Sequence, residues 1–205
     1  MTAQAVRWLA ARAVDLAQGR TEHPRAGGVG TPWPIYDAIN GLAGIGRVLL
    51  AALTAGSDTA ESGLLAALRT LTAMIDTQHG SRPGWWLPAE EQTSAVTVHP
   101  SGAATTGMAH GITGPVSLLA TAHAAGWSVA GQRAAIQRAA HWLLRWRTDA
   151  AHSWAPSVTG DELDSDTAAP TAGRRDAWCY GAPGIRRALI LAGSALTDPP
   201  AHHGR

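Results

Sequence analysis

At 205 residues the chain is long enough for one domain with a substantial hydrophobic core. Its formal net charge of +1 supplies no basic field for nucleic acid, and Arg7, Arg12 and Asp15 interrupt the one apolar stretch near the start that a secretory signal would need. Nothing approaches the run of about 18 apolar residues that spans a bilayer. The single cysteine excludes an internal disulfide and fits a reducing compartment, so the sequence reads as a soluble, cytoplasmic protein.

Val6, Leu9, Ala10, Ala13 and Leu16 fall at helical spacing and predict a first helix over 3–18, ended by Gly19. A Pro/Gly-rich loop fills 20–34. A second helix is expected from about Asp37 to Ala55, and a third, capped by Ser57 or Asp58, carries Leu64, Leu65, Leu68, Leu71 and Ile75 as its stripe and stops at Gly80. From Ser81 to Thr106 the chain reads as a long loop with one β-prone piece, Ala95 to Val98; connections of that length in compact domains are usually functional. A fourth helix follows Gly111 and ends at Gly126, and a fifth runs from Gly131 to Arg147. A second long connection occupies 149–176, and the sixth helix starts near Pro183, where the missing N–H of proline does no harm. The fold class expected is all-α.

The quartet Gly-x-x-Gly recurs with a strict period of 70 residues: Gly41/Gly44, Gly111/Gly114 and Gly181/Gly184. Each quartet opens an apolar helical run, so each marks a loop turning into a helix, and repeats of this size denote stacked supersecondary units that cannot bury their own faces alone. Each unit reads as loop, glycine turn, inner helix, outer helix, the third without its outer helix.

A chemically able residue precedes each quartet: Asp37, His110 and Cys179. Taken singly, each has an ordinary structural role, Asp37 as a helix cap, His110 as a buried hydrogen-bonded side chain and Cys179 as an inert core thiol. Taken together at repeated helix starts, they point to one assembled site. A helix N-terminus favours thiolate, the form that ligates zinc or attacks an electrophile, and histidine between glycines suits acid–base work. Of the nine tryptophans, Trp142 and Trp146 lie four apart on one helix face and read as core, whereas Trp85 and Trp86 in RPGWWLP either line a peptide groove or plug the end of a helical barrel.

GMAHGITGPVSLLA followed by RRDAWCYGAPGIRRAL resembles the lanthionine synthetase C-like family, the cyclases of lantibiotic biosynthesis; YDAINGLAGIGRVLL and PGWWLP resemble its earlier segments. The resemblance runs from about Asp37 to Leu196. It implies an α/α toroid of helical hairpins, about three of the family's seven units being present in a single partial domain (core 35–197, with 198–205 a disordered tail). It further implies that Cys179 is a zinc ligand, His110 the acid or base, Asp37 its assistant, and Arg175 and Tyr180 the groups flanking the metal. The reaction implied is addition of a precursor-peptide cysteine thiol to dehydroalanine or dehydrobutyrine to form a thioether ring. The implied partners are the precursor peptide, a lantibiotic dehydratase and transporter, or a second polypeptide or second copy completing the toroid.

The family's zinc is held by two cysteines and a histidine, and this chain has no second cysteine. His202-His203-Gly204 superficially resembles the missing Cys-His-Gly motif but replaces its cysteine. The sequence therefore supplies one of three expected Zn2+ ligands, and it reads as truncated at both ends. Two alternatives follow: a non-catalytic peptide-binding module on the same fold, and an α/α-barrel carbohydrate-active enzyme, which needs a second carboxylate beside Asp37.

Overall fold

The computed structural model describes residues 2–22, 30–92, 98–148, 153–167 and 177–197. Its helices are α1 (Ala3–Glu22), α2 (Trp33–Tyr36), α3 (Leu42–Thr54), α4 (Glu61–Asp76), α5 (Thr113–Ala124), α6 (Gln132–Arg145), α7 (Gly160–Ser165) and α8 (Ala182–Thr197). Short strands connect them: β1 (Gln78–His79), β2 (Arg82–Pro83), β3 (Trp86–Leu87), β4 (Ala103–Thr105), β5 (Arg147–Thr148), β6 (Ser153–Trp154) and β7 (Ser157–Thr159).

Two rows of helices carry the core. The helices that follow the glycine turns form one row, α3 against α5 and α5 against α8; α1, α4 and α6 form the second, α1 on α4 and α4 on α6. Within a unit, α3 packs on α4 and α5 on α6. This hairpin pattern is the one the 70-residue period predicts, because a turn at a fixed interval returns the chain to the same row. Leu42, Leu49, Leu64, Leu68, Leu71, Ile112, Leu118, Leu119 and Ile136 are completely buried between the rows. Helix pairs come close where side chains vanish: a Cβ at Gly63 would lie 2.6 Å from the Cα of Ala10, so α4 meets α1 almost backbone to backbone.

The two long connections differ from the expected loops. The first contains the hairpin β1–β2, turned by Gly80 at φ +59°, and then β3, which pairs with β4; β4 in turn pairs with β7 from the second connection, giving the antiparallel order β3-β4-β7. A period-2 signal is invisible in strands of two or three residues, which is why they do not declare themselves in the sequence. The β-prone piece lies elsewhere: Ala95–Thr97 fall outside the described residues and Val98 carries no strand. Helix α7 is held by a capping box in which the Thr159 hydroxyl accepts from the Glu162 N–H while the Glu162 carboxylate accepts from the Thr159 N–H. Arg82 on β2 forms a bidentate ion pair with Asp164 on α7, which pulls the Asp164 carboxyl down to about 2 and clips the two connections together.

Trp85 is buried, edge-on to Trp142 with ring centroids 5.0 Å apart, and Trp142 leans on Trp146 at 6.3 Å. Trp85 is thus a core residue and lines no groove. Trp86 lies against Gly102, with the Arg82 guanidinium 5.4 Å from its ring centroid.

Candidate active site at the glycine turns

Asp37 closes α2, which Pro32 and Pro34 preset, and stands before α3. Its Oδ1 accepts three backbone N–H bonds, from Ile39 at 3.1 Å and from Asn40 and Gly41 at 2.7 Å each. The side chain is buried, so the donors at the start of α3 fix the carboxylate and leave Oδ2 as its one outward-working atom.

That atom lies 2.7 Å from Nδ1 of His110. A carboxylate only accepts, so the shared proton sits on Nδ1 and Nε2 is left as the ring's other nitrogen. The imidazole is 30% exposed, which leaves it accessible. Trp33 stacks on the ring at 5.5 Å between centroids and 26° between planes, and the Tyr180 ring lies 6.1 Å away on a tilted plane. The Tyr36 hydroxyl donates to the His110 carbonyl at 3.1 Å. Burial first, and then the neighbouring Asp37 charge, push the Tyr36 phenol well above its ordinary range, so it remains a neutral donor.

The three turns are joined through the main chain. The Ala38 N–H donates to the Ala109 carbonyl at 2.9 Å, and the Ala109 N–H donates to the Cys179 carbonyl at 3.2 Å. The glycines permit this approach: a Cβ at Gly107 would stand 2.6 Å from the Cys179 carbonyl oxygen, and one at Gly111 2.4 Å from the Gly107 nitrogen. The ladder places Asp37, His110 and Cys179 on successive turns at one end of the helical row. Cys179 is half-buried with a free thiol, and Tyr180 follows it toward His110.

Of the residues named from sequence, Asp37, His110, Cys179 and Tyr180 share this end, while Arg175, His202 and His203 lie outside the described residues. Sequence reasoning missed Trp33 and Tyr36; their only signal is their position in WPIYD, immediately ahead of Asp37. Among the described residues no group of three or more His, Cys, Asp or Glu side chains is placed to hold a metal ion. The described residues therefore do not make a zinc centre of their own. Asp37 is the sole buried carboxylate among the described residues, so a carboxylate pair of the glycosidase kind finds no buried second member.

Paired rows of helices, opened by glycine turns that gather an Asp–His pair and a cysteine at one end, define a class of helical-repeat protein. The chain belongs to the lanthionine synthetase C-like protein family, whose model matches residues 10–203. It is 30% identical over 170 residues to the nisin biosynthesis protein NisC of Lactococcus lactis subsp. lactis, a match covering 80% of this chain and 40% of that protein. A solved structure of nisin cyclase superposes with a TM-score of 0.75 at 26% identity, over 89% of this chain and 45% of the cyclase. The mostly helical architecture and this neighbour are consistent with an α/α toroid fold. The chain spans less than half the length of these two relatives. No described helix is long and apolar enough to cross a membrane.

Proposed function

We propose that this chain serves lanthionine-type thioether formation, supplying the proton-transfer part of a cyclase site to a dehydrated precursor peptide. The observation that carries this reading is the 2.7 Å bond between a buried, three-fold anchored Asp37 carboxylate and a partly exposed His110. In the reaction a peptide thiol adds across the dehydroalanine or dehydrobutyrine double bond. A C–S bond forms at the β carbon, the π pair moves onto the α carbon as an enolate, and a proton is delivered there. His110 Nε2 gives that proton, Asp37 stabilises the cationic imidazole that holds it, and Trp33 and Tyr180 fix the ring plane. The proton lost from the thiol is the one that Nε2 takes up to form that cation, so the ring ends neutral as it began and atoms and charge balance. Arg175, which precedes the Cys179 turn in sequence, fits stabilisation of the enolate oxygen.

Zinc, which the family resemblance implies, is not routed through this mechanism, because Cys179 has no fellow ligands among the described residues. That mismatch favours a second reading, in which the chain binds the precursor peptide and a further polypeptide completes the chemistry. Cyclisation leaves peptide mass unchanged but consumes thiols, so alkylation followed by mass spectrometry reads it directly. With a dehydrated precursor peptide, thiol loss in wild type that falls by about 10²–10⁴-fold in His110→Ala supports the catalytic reading. Peptide binding with no thiol loss supports the second reading, and neither binding nor thiol loss overturns both.

A further inference from the structure

His110 is gripped by three consecutive residues of the first turn. The Ala38 N–H donates to the Ala109 carbonyl at 2.9 Å, the Asp37 carboxylate binds the His110 ring nitrogen at 2.7 Å, and the Tyr36 hydroxyl donates to the His110 carbonyl at 3.1 Å. The two carbonyls belong to the two peptide planes that flank the His110 Cα. A peptide plane is rigid, so the freedoms left at a residue are the rotations of these two planes about its Cα. Pinning both planes to one neighbouring segment fixes the direction in which Cβ leaves the backbone, and with it the arc the imidazole can reach.

The segment doing the pinning is itself stiff. Pro32 and Pro34 preset the single turn α2, and the Asp37 N–H closes it on the Trp33 carbonyl at 2.9 Å. Gly41 brings the start of α3 so near that a Cβ there would stand 2.7 Å from the Tyr36 carbonyl carbon. The Tyr36 side chain is completely buried, so packing sets where its hydroxyl points.

The repeat separates this grip from the scaffold common to the units. A main-chain bond between turns recurs in the next joint, from the Ala109 N–H to the Cys179 carbonyl at 3.2 Å. The position 70 residues after Tyr36 is Thr106, whose hydroxyl donates instead to the Ala155 carbonyl of the second long connection at 2.6 Å. Of these two hydroxyls, only the one facing the histidine reaches the turn of the next unit.

We propose that Tyr36 is a positioning residue for the proton transfer at His110: its hydroxyl pins the His110 main chain and so keeps the imidazole registered on the Asp37 carboxylate. Tyr36 acts through the histidine and reaches no reacting atom itself. Its effect on turnover rests on the proton-transfer reading above, whereas the registration of the ring does not.

The test is Tyr36→Phe, which removes the hydroxyl and keeps the ring. Circular dichroism verifies the fold, 1H–15N spectra follow the His110 side chain, and thiol consumption from a dehydrated precursor peptide follows the reaction. Exchange of the Nδ1 proton with water is expected to be about tenfold faster than in wild type, and turnover about tenfold lower with KM changed less than about twofold. Thr106→Val, which loses the corresponding hydroxyl of the next unit, is expected to leave the exchange as in wild type. A folded Tyr36→Phe with wild-type exchange overturns the proposal even where its thiol consumption falls, because Tyr36 would then act elsewhere than on His110. An equal rise in Thr106→Val also overturns it, by assigning the effect to general loosening. A wild type that consumes no thiol removes the proposed chemistry and leaves the exchange rates to decide the positioning. Should Tyr36→Phe not fold, Tyr36→3-fluorotyrosine keeps the ring and makes the hydroxyl a stronger donor; slower exchange than in wild type supports the proposal and unchanged exchange overturns it.

Discussion

The first two glycine turns and the third are built from the same motif yet end in different states. Asp37 is buried, held by three backbone donors and bonded to His110, which is stacked on Trp33, so the fold itself holds the pair in place. Around the third turn Cys179 is half-buried and Trp178 stands in solvent, with no metal-competent cluster among the described residues. Catalytic groups gain from preorganisation because no reorganisation is then needed during reaction. The contrast teaches that the first two turns owe their rigidity to each other and to their own backbone: Asp37 is anchored by donors of its own turn, and His110 is held by Asp37 and Trp33 of the unit before it.

The largest way to sharpen that contrast is to remove the reactive side chain from each half. Asp37→Ala strips three backbone donors of their acceptor and should lower the unfolding free energy by about 2–4 kcal/mol, as urea titration would read it. Cys179→Ala should move it by less than about 1 kcal/mol; equal losses would mean that the two halves are equally embedded. A second comparison probes the turns themselves. A Cβ at Gly184 would sit 2.2 Å from the Trp178 carbonyl oxygen, so Gly184→Ala should cost about 1–3 kcal/mol. Gly19 in α1 has nothing within 4 Å, and Gly19→Ala should stabilise by about 0.5–1 kcal/mol.

The smallest effect concerns pH and the end of α5 away from the turns. His123 is buried with both ring nitrogens unpartnered, and burial, aided by the Arg133 charge, lowers its pKa below the ordinary 6.5. A depressed folded value means the unfolded chain takes up the proton first. The stabilisation is therefore whole above 6.5 and is lost as pH falls from there through the lowered value. Melting temperatures of wild type should decline across that window, and His123→Gln should flatten the decline; an unchanged slope would assign it to other groups.

Much of this was legible in the chain itself. The period of the glycine quartets and the helical stripes located six main helices to within a few residues, because glycine turns and apolar spacing are local signals. The site was legible as a set of turns: Asp37, His110, Cys179 and Tyr180 do share one end. What local patterns could not carry was pairing. The strands of the two connections are too short to show alternation. The stacking of Trp33 on His110 and the Tyr36 hydroxyl bond cross more than 70 residues of sequence, and Trp85 packs on Trp142 of α6, far along the chain.

The proposed role of His110 requires Asp37 to hold its Nδ1 proton and so leave Nε2 to the substrate. Long-range 1H–15N correlation of the histidine rings measures this directly, with His110 assigned by its loss in His110→Ala. Neutral His110 is expected to be the Nδ1–H tautomer in wild type, and Asp37→Asn is expected to abolish that preference. A neutral ring protonated on Nε2 in wild type, or a tautomer indifferent to Asp37→Asn, would contradict it.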